Sequence, residues 1–376
     1  MRYLSPFIKN DLKKKMVFIG GPRQCGKTTL SLSLLKNGYE GAYFNWDLLA
    51  DRQKILAGQW TDQQELLIFD EIHKYKKWRN LIKGYYDTEK EDHKFLVTGS
   101  ARLDYYRRGG DSLLGRYHYW RLHPFSLFEP NLKLPRKEIY ERLLTLGGFP
   151  EPFLDNSERE ARRWRESRIT RVIREDLRDL EAVQEIPLME LFYQNLRSKV
   201  GSTLAISTLA QEVQISPVTA KKWLRIFEQM YLIFTISGYD RQLTRAVHKP
   251  IKIYFYDTGE VIGDESQKLE NLVATHLQKK LNFIEDYEGY RTRLHYAKDK
   301  NQREVDFLVM VDGKIKELIE VKLNDQAISP NLIKFAEILK PEKAIQLVKF
   351  TEKSWSKNRL TLTDPIKHFE SLGAKV

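Results

Sequence analysis

Residues Met16–Leu30, MVFIGGPRQCGKTTL, decide the fold class. The first five form an apolar run of strand length, and helical spacing begins at Lys27. The segment therefore reads strand, glycine-rich loop, helix. Gly21, Gly26, Lys27 and Thr28 fit G-x-x-x-x-G-K-[ST], the P-loop spacing. Glycines at these positions let backbone N–H groups wrap phosphates, the lysine reaches the β- and γ-phosphates, and the hydroxyl ligates Mg2+. At average residue usage the pattern arises by chance in about one chain in a hundred of this length. Gly21, Pro22, Arg23, Gln24, Cys25, Gly26, Lys27, Thr28 and Thr29 are thus expected to cradle the phosphates of ATP, with ATP and Mg2+ as the ligands.

A P-loop calls for a second, acidic strand, and ELLIFDEIHKYKKW supplies it. Leu66 to Phe69 read as a buried strand running into Asp70 and Glu71. Asp70 is expected to hold Mg2+ through its water shell, and Glu71 to polarise the attacking water as general base. A third strand, KFLVTGSAR, ends in polar residues where an open parallel sheet presents ligand-contacting groups. Thr98 or Ser100 there is expected to sense the γ-phosphate or orient the water. Downstream, Arg116 is a candidate arginine finger on its own or a neighbouring subunit's ATP, the second case requiring a homo-oligomer. Arg102, Arg107, Arg108 and Arg121 compete with it. Cys25 fills a small slot in the loop, and His73 is a polar turn residue with no second ligand at metal spacing.

Composition narrows the setting. The chain has 376 residues, 30% of them charged, and a formal net charge of +12. That length suits two or three domains, and that charge favours polyanionic partners such as nucleic acid. Residues 1–150 carry about +9 of the excess and 261–376 only about +2, so bulk charge does not announce a basic groove at the C-terminal end. One cysteine rules out a disulfide scaffold within the chain. The N-terminal residues lack a signal-peptide core and no run is apolar and long enough to span a bilayer, so a cytoplasmic protein without membrane contact is expected.

GPRQCGKTTL, LIFDEIHKYKKWRNLIKGYYD, FLVTGSAR, SLLGRYHYWRLHPFSLFE and GGFPEP, in this order, resemble bacterial and archaeal AAA+-type ATPases that carry a C-terminal domain of unknown function. The resemblance covers nearly the whole chain. It implies an α/β protein with a P-loop AAA+-like parallel-sheet core over 1–130, a helical lid and linker over 131–200, a winged helix-turn-helix over 201–260, and a restriction-endonuclease-like α/β domain over 261–376.

The residues of the later segments bear on that layout directly. SEREARRWRESRITRVIREDLRDLEAV reads as a long charged helix with Trp164, Ile169, Val172, Ile173 and Leu177 as its apolar stripe and its arginines on a solvated, salt-bridged face. Ser207 is expected to cap one short helix, and Ser216-Pro217 to open the next. This helix-turn-helix would present Thr219, Lys221 and Lys222 outward, with Arg241 and Arg245 on a following wing, and makes DNA the expected macromolecular partner.

DESQKLENLVATHLQKKL then reads as an amphipathic helix with Leu269, Leu272, Val273 and Leu277 inward and Glu270 beside them. REVDFLVMV and KELIEVKL follow as two strands joined at Asp312-Gly313. A nuclease of the PD-(D/E)XK type needs this layout, with Asp306 and Glu320 on Mg2+, Lys322 activating the water and Glu270 completing the metal shell. The bare Asp…Glu-x-Lys spacing is expected about once in any chain of this size, so its weight comes from the strand context and the resemblance. Two functions follow as expectations: an ATPase coupled to a DNA-interacting winged-helix and nuclease-like module, or a nucleotide-dependent switch whose inactive nuclease-like domain binds a protein partner.

Overall fold

The structure, a computed structural model, describes residues 2–99, 113–129, 132–176, 185–240, 250–324, 327–351 and 353–373. Ser100, Arg102, Arg107, Arg108, Leu177, Arg241 and Arg245 lie outside them. The chain divides into two compact units, one formed by Met1–Pro124, Glu129–Leu132 and Gln229–Tyr231, the other by Phe125–Phe128, Lys133–Glu228 and Leu232–Val376.

The first unit is a five-stranded parallel sheet. Its strands are β1 (Met16–Gly20), β2 (Gly41–Asn45), β3 (Leu66–Asp70), β4 (Lys94–Thr98) and β5 (Tyr117–Arg121), ordered β2-β3-β4-β1-β5. Helices α1 (Ser5–Asp11), α2 (Lys27–Lys36), α3 (Leu49–Ala57) and α4 (Trp78–Glu89) belong to the same unit. β1 and β3 are buried at every position, as continuous apolar runs in a covered parallel sheet should be. Phe69 stacks on Phe44 and Phe95 within a core that also takes in Ile55, Trp78 and Ile82. Each such side chain contributes about 1.5–3 kcal/mol by leaving water. Because β4 lies between β1 and β3, the ends of the P-loop strand, the hydroxyl-ended strand and the acidic strand fall side by side.

In the second unit, helices α5 (Arg136–Thr145), α6 (Pro150–Asp155), α7 (Glu158–Arg171), α8 (Ile186–Leu196), α9 (Ile206–Glu212) and α10 (Pro217–Gln229) precede an eight-stranded mixed sheet. The strands are β6 (Ile233–Gly238), β7 (Ile251–Phe255), β8 (Thr292–Lys298), β9 (Glu304–Val311), β10 (Lys314–Lys322), β11 (Lys343–Val348), β12 (Trp355–Lys357) and β13 (Leu360–Thr363), ordered β12-β13-β11-β10-β9-β8-β6-β7. Helices α11 (Glu265–Phe283), α12 (Pro330–Leu339) and α13 (Pro365–Gly373) accompany it. α11 starts in a capping box, with Asp264 accepting from the Gln267 N–H and the Gln267 side chain accepting from the Asp264 N–H. It buries Leu269, Leu272, Val273 and Leu277. The β9–β10 turn places both Asp312 and Gly313 at positive φ, 47° and 75°, the demand of a two-residue hairpin that an Asp-Gly pair meets.

Three sequence expectations are altered here. β6 and β7, read as strands of a separate winged-helix module, hydrogen-bond into the same sheet as β8–β13. Ala205, not Ser207, holds the N-cap of α9, and no side chain caps it, whereas Ser216 does accept from the Thr219 N–H at 3.0 Å. Finally, α7 is not a purely solvated charged helix. Arg165 and Arg168 are buried, 4.0 Å from Asp257 and from Glu260 respectively, and Arg197 approaches Glu260 at 3.4 Å. Asp257 and Glu260 lie far downstream of α7, where helix periodicity carries no information about them.

Candidate functional site

The P-loop leaves β1 through Gly21, whose φ of 130° excludes ordinary side chains and whose added Cβ would stand 2.3 Å from the Leu122 carbonyl oxygen. Gly26, at φ 94°, forms the N-cap of α2. Glycine is the residue that adopts both conformations without strain. The loop's amide groups and the positive end of α2 are thereby gathered at one place. Lys27 starts the helix and is buried. Its Nζ donates to the carbonyls of Gly21 at 3.1 Å and Pro22 at 2.7 Å, which holds the ammonium over the loop.

Asp70 ends β3 in register with Thr98 on β4. Thr28 Oγ1 and Tyr43 Oη each donate to Asp70 Oδ2 at 2.7 Å, and Thr98 Oγ1 donates to Asp70 Oδ1. Three neutral hydroxyls thus satisfy one buried carboxylate. The Asp70 carboxylate raises the Tyr43 pKa, adding to the larger effect of desolvation. Thr28 and Asp70 make an all-oxygen pair beside the P-loop, the donor chemistry that suits Mg2+ and not a soft metal. Fit to Mg-ATP is therefore good.

Glu71 follows at φ 57°, a left-handed conformation of the kind retained where the surroundings impose it. Its N–H donates to the Thr98 carbonyl at 3.0 Å. Its carboxylate lies 3.6 Å from both His73 Nε2 and Lys74 Nζ. Burial raises its pKa above the usual carboxylate value, Lys27 and Lys74 oppose that rise, and Asp70 adds to it. Lys27, Thr28, Asp70, Glu71 and Thr98 are accordingly brought together; Ser100 is outside the described residues.

Arg116 is elsewhere. Its carbonyl accepts from the Met16 N–H, at the start of β1, and Tyr117 pairs with Met16 while Arg121 pairs with Gly20. The length of β1, on the order of 13 Å, separates Arg116 from the phosphate end. Its guanidinium forks onto Asp87 of α4 at 2.7 and 3.0 Å. The expectation that Arg116 acts on its own chain's ATP is thus corrected: β5 carries it to the wrong end of the sheet. Arg121 is the competitor whose backbone stands at the right end.

Two residues of this site escaped sequence reading. Tyr43 belongs to no motif, and its role comes from β2 lying beside β3. Arg2 donates to the carbonyls of Cys25 at 2.7 Å and His123 at 2.6 Å and to Glu129 at 2.9 Å, bracing the P-loop from a position with no local signal. Cys25 is buried, its Sγ 3.3 Å from the Leu122 carbonyl oxygen.

A second acidic constellation lies in the other unit. Glu270 on α11 and Asp306 on β9 approach each other as expected, but around Lys252 of β7. The Lys252 Nζ is 3.1 Å from Glu270, 2.7 Å from Glu304 and 3.5 Å from Asp306, and its side chain is 1% exposed. Tyr254 donates to Glu270 at 2.7 Å, the Val321 N–H to Asp306 Oδ2 at 2.9 Å, and Thr203 to Glu304 at 3.1 Å. Lys322 pairs with Glu320 at 2.9 Å. Desolvation, then the Asp306 charge, pushes the Glu320 carboxyl up to about 7. Among the described residues no three His, Cys, Asp or Glu side chains form a metal-holding group. Of the expected Mg2+ set, Glu270 and Asp306 accept from an ammonium, a phenol and a backbone amide, whereas Glu320 pairs with Lys322 through Oε1 and its buried Oε2 has no hydrogen-bond partner. The signal available in the sequence was Lys252 itself, a lone charge inside the strand run IKIYFY.

Comparison with known proteins agrees with the first unit. Residues 13–130 match the family model described as an AAA domain; 137–262 and 266–364 match two domains of unknown function, DUF8612 and DUF4143. An uncharacterized protein of Mycobacterium tuberculosis is 23% identical over 317 residues, 80% of this chain and 68% of its own. An uncharacterized protein of Methanocaldococcus jannaschii is 24% identical over 405 residues, 90% of this chain and 81% of its own. Among solved structures, a Walker-type ATPase of Pyrococcus abyssi aligns over 67% of this chain and 92% of that one, at 16% identity and a TM-score of 0.41. A point variant of Thermotoga maritima RuvB aligns over 61% and 88%, at 16% identity and a TM-score of 0.32. The first unit is an AAA-type P-loop fold. No described helix is long and apolar enough to cross a membrane.

Proposed function

We propose that this chain binds Mg-ATP at the loop from Gly21 to Thr29 and hydrolyses it. The observation that carries this reading is the joining of Thr28 and Asp70 by a hydrogen bond of 2.7 Å beside the buried Lys27. Backbone amides of the loop and the N-terminus of α2 bind phosphate oxygens, and Lys27 moves from the Gly21 and Pro22 carbonyls onto them. Thr28 and Asp70 would hold Mg2+, which when bound neutralises charge on the β- and γ-phosphates. Glu71 accepts a proton from the attacking water, and Thr98 keeps Asp70 oriented. The test is phosphate release by Lys27→Ala, expected to fall at least about a hundredfold with the circular dichroism spectrum unchanged. Turnover equal to wild type would overturn the assignment.

The finer reading couples this ATPase to DNA. α10 opens after a tight turn and exposes Lys221, Lys222 and Arg225, the arrangement by which a recognition helix meets phosphates and base edges. Arg116 acting on a neighbouring subunit belongs to the same reading and requires a homo-oligomer. A gel shift with and without ATP, wild type against Lys221→Ala/Lys222→Ala, separates the cases. Lost binding supports DNA contact through α10. No shift for either protein favours the second reading, a nucleotide switch whose C-terminal unit engages a protein, for which the occupied carboxylate cluster speaks.

A further inference from the structure

The carboxylate cluster of the second unit is independent of the ATPase reading. The helix and strand order α11-β8-β9-β10-α12-β11 carries Glu270, Asp306, Glu320 and Lys322, the residue types a metal-dependent nuclease places on such a frame. Yet Lys252 enters from β7, a strand outside that order, and is among the most deeply buried charged side chains of the unit. Its ammonium reaches three carboxylates on two elements, Glu270 from α11 and Glu304 and Asp306 from β9.

We propose that the Lys252 ammonium permanently replaces a divalent cation in this cluster, so that the second unit retains a nuclease-like carboxylate frame without a metal and does not cleave nucleic acid.

Three further observations support the substitution. Charge is nearly balanced without a metal: Lys252, Lys298 and Lys322 face Glu270, Glu304, Asp306 and Glu320. Two of the coordinating atoms are committed, since Glu270 Oε1 accepts from both Lys252 and Tyr254 while Asp306 Oδ2 accepts from the Val321 N–H, and Glu320 Oε2 alone is buried without a hydrogen-bond partner in the set. One side of the cluster is covered as well. The loop after α8 lies against the cluster, with an added Cβ at Gly201 standing 2.6 Å from Glu270 Oε2, and Thr203 bonded to Glu304. Mg2+ demands near-octahedral oxygens and keeps several waters; an ammonium lodged among Glu270, Glu304 and Asp306 takes the place where such a shell would form.

The test is Mn2+ binding to nucleotide-free, full-length protein, followed by the electron paramagnetic resonance of free Mn2+. Four proteins are compared: wild type, Asp306→Asn, Lys252→Ala and Lys252→Ala/Asp306→Asn. Wild type and Asp306→Asn should bind alike, so any Mn2+ held in the first unit cancels. Lys252→Ala should gain about one Mn2+ per chain, and the double variant should lose it. Plasmid nicking in Mg2+ or Mn2+ should be equal for wild type and Asp306→Asn. Wild-type Mn2+ binding or nicking that Asp306→Asn abolishes overturns the proposal, as does a folded Lys252→Ala that gains no Mn2+. Where Lys252→Ala fails to fold, Lys252→Met retains the packing stem, and the wild-type pair decides the question by itself.

Discussion

Two acidic sites on two sheets are satisfied in opposite ways. In the first unit, Asp70 is held by Thr28, Tyr43 and Thr98, all neutral hydroxyls that ligands can displace or join. In the second, Glu270, Glu304 and Asp306 share the ammonium of a buried lysine. A neutral donor leaves the carboxylate's charge available to a cation; a buried ammonium cancels it, and its removal leaves uncompensated charge in a poorly hydrated place. Carboxylates on a strand therefore do not identify a metal site until their counter-charges are known.

The comparison can be broken most sharply at Glu71. Glu71→Gln keeps shape and hydrogen-bonding capacity but cannot accept the proton. It should reduce ATP turnover by about 10²–10⁴-fold while nucleotide binding, read with a fluorescent ATP analogue, persists. Because burial raises the Glu71 pKa, the acid limb of the wild-type turnover profile should lie above the ordinary carboxylate range, with activity lost as pH falls through it. An acid limb at the ordinary value, or unaffected turnover by the variant, would exclude Glu71 as the base.

A smaller effect tests the closed cluster. A carboxyl whose folded pKa is raised contributes stability that is complete below its unfolded value and is lost as pH rises through the folded one. For Glu320 that window runs from 4.5 to about 7, with a contribution on the order of 1–3 kcal/mol. Melting temperatures of wild type should fall across this window relative to Glu320→Gln. Parallel curves would show that Glu320 is ionised at its ordinary value and that the cluster is wetter than its geometry implies.

The smallest effect concerns Tyr43. Its hydroxyl competes with a cation's water shell for Asp70 Oδ2, so Tyr43→Phe should lower the Mg2+ concentration for half-maximal turnover by about threefold. An increase would mean that Tyr43 orients Asp70 for the metal.

The first site was largely legible along the chain because its chemistry is local. Gly21, Gly26, Lys27 and Thr28 fall within eight residues, and an apolar strand delivers Asp70 and Glu71 together. Strand order explains the rest: β4 between β1 and β3 aligns Thr98 with Asp70, and β2 beside β3 supplies Tyr43. That Arg116 stands at the wrong end for its own chain's ATP is not legible in the sequence, because a glycine before an arginine says nothing about the direction of the strand that follows. A strand of five residues carries Arg116 and Arg121 to opposite ends of the sheet.

The second site was legible only in part. The Glu270 helix, the Asp306 strand and the Asp312-Gly313 turn follow from periodicity and turn chemistry. Lys252 sits 54 residues before Asp306, and no spacing rule links them. Arg165 and Arg168 present the same difficulty, since helix charge patterns cannot foresee buried partners supplied by a distant loop.

What the sequence determined by itself was local: the P-loop, its acidic strand, and the apolar runs and Asp-Gly turn that make β9 and β10 a hairpin. Which charges meet was decided only by the tertiary structure. An ammonium finds a carboxylate through the packing of strands far apart in the chain, and burial then fixes whether that meeting leaves room for a metal.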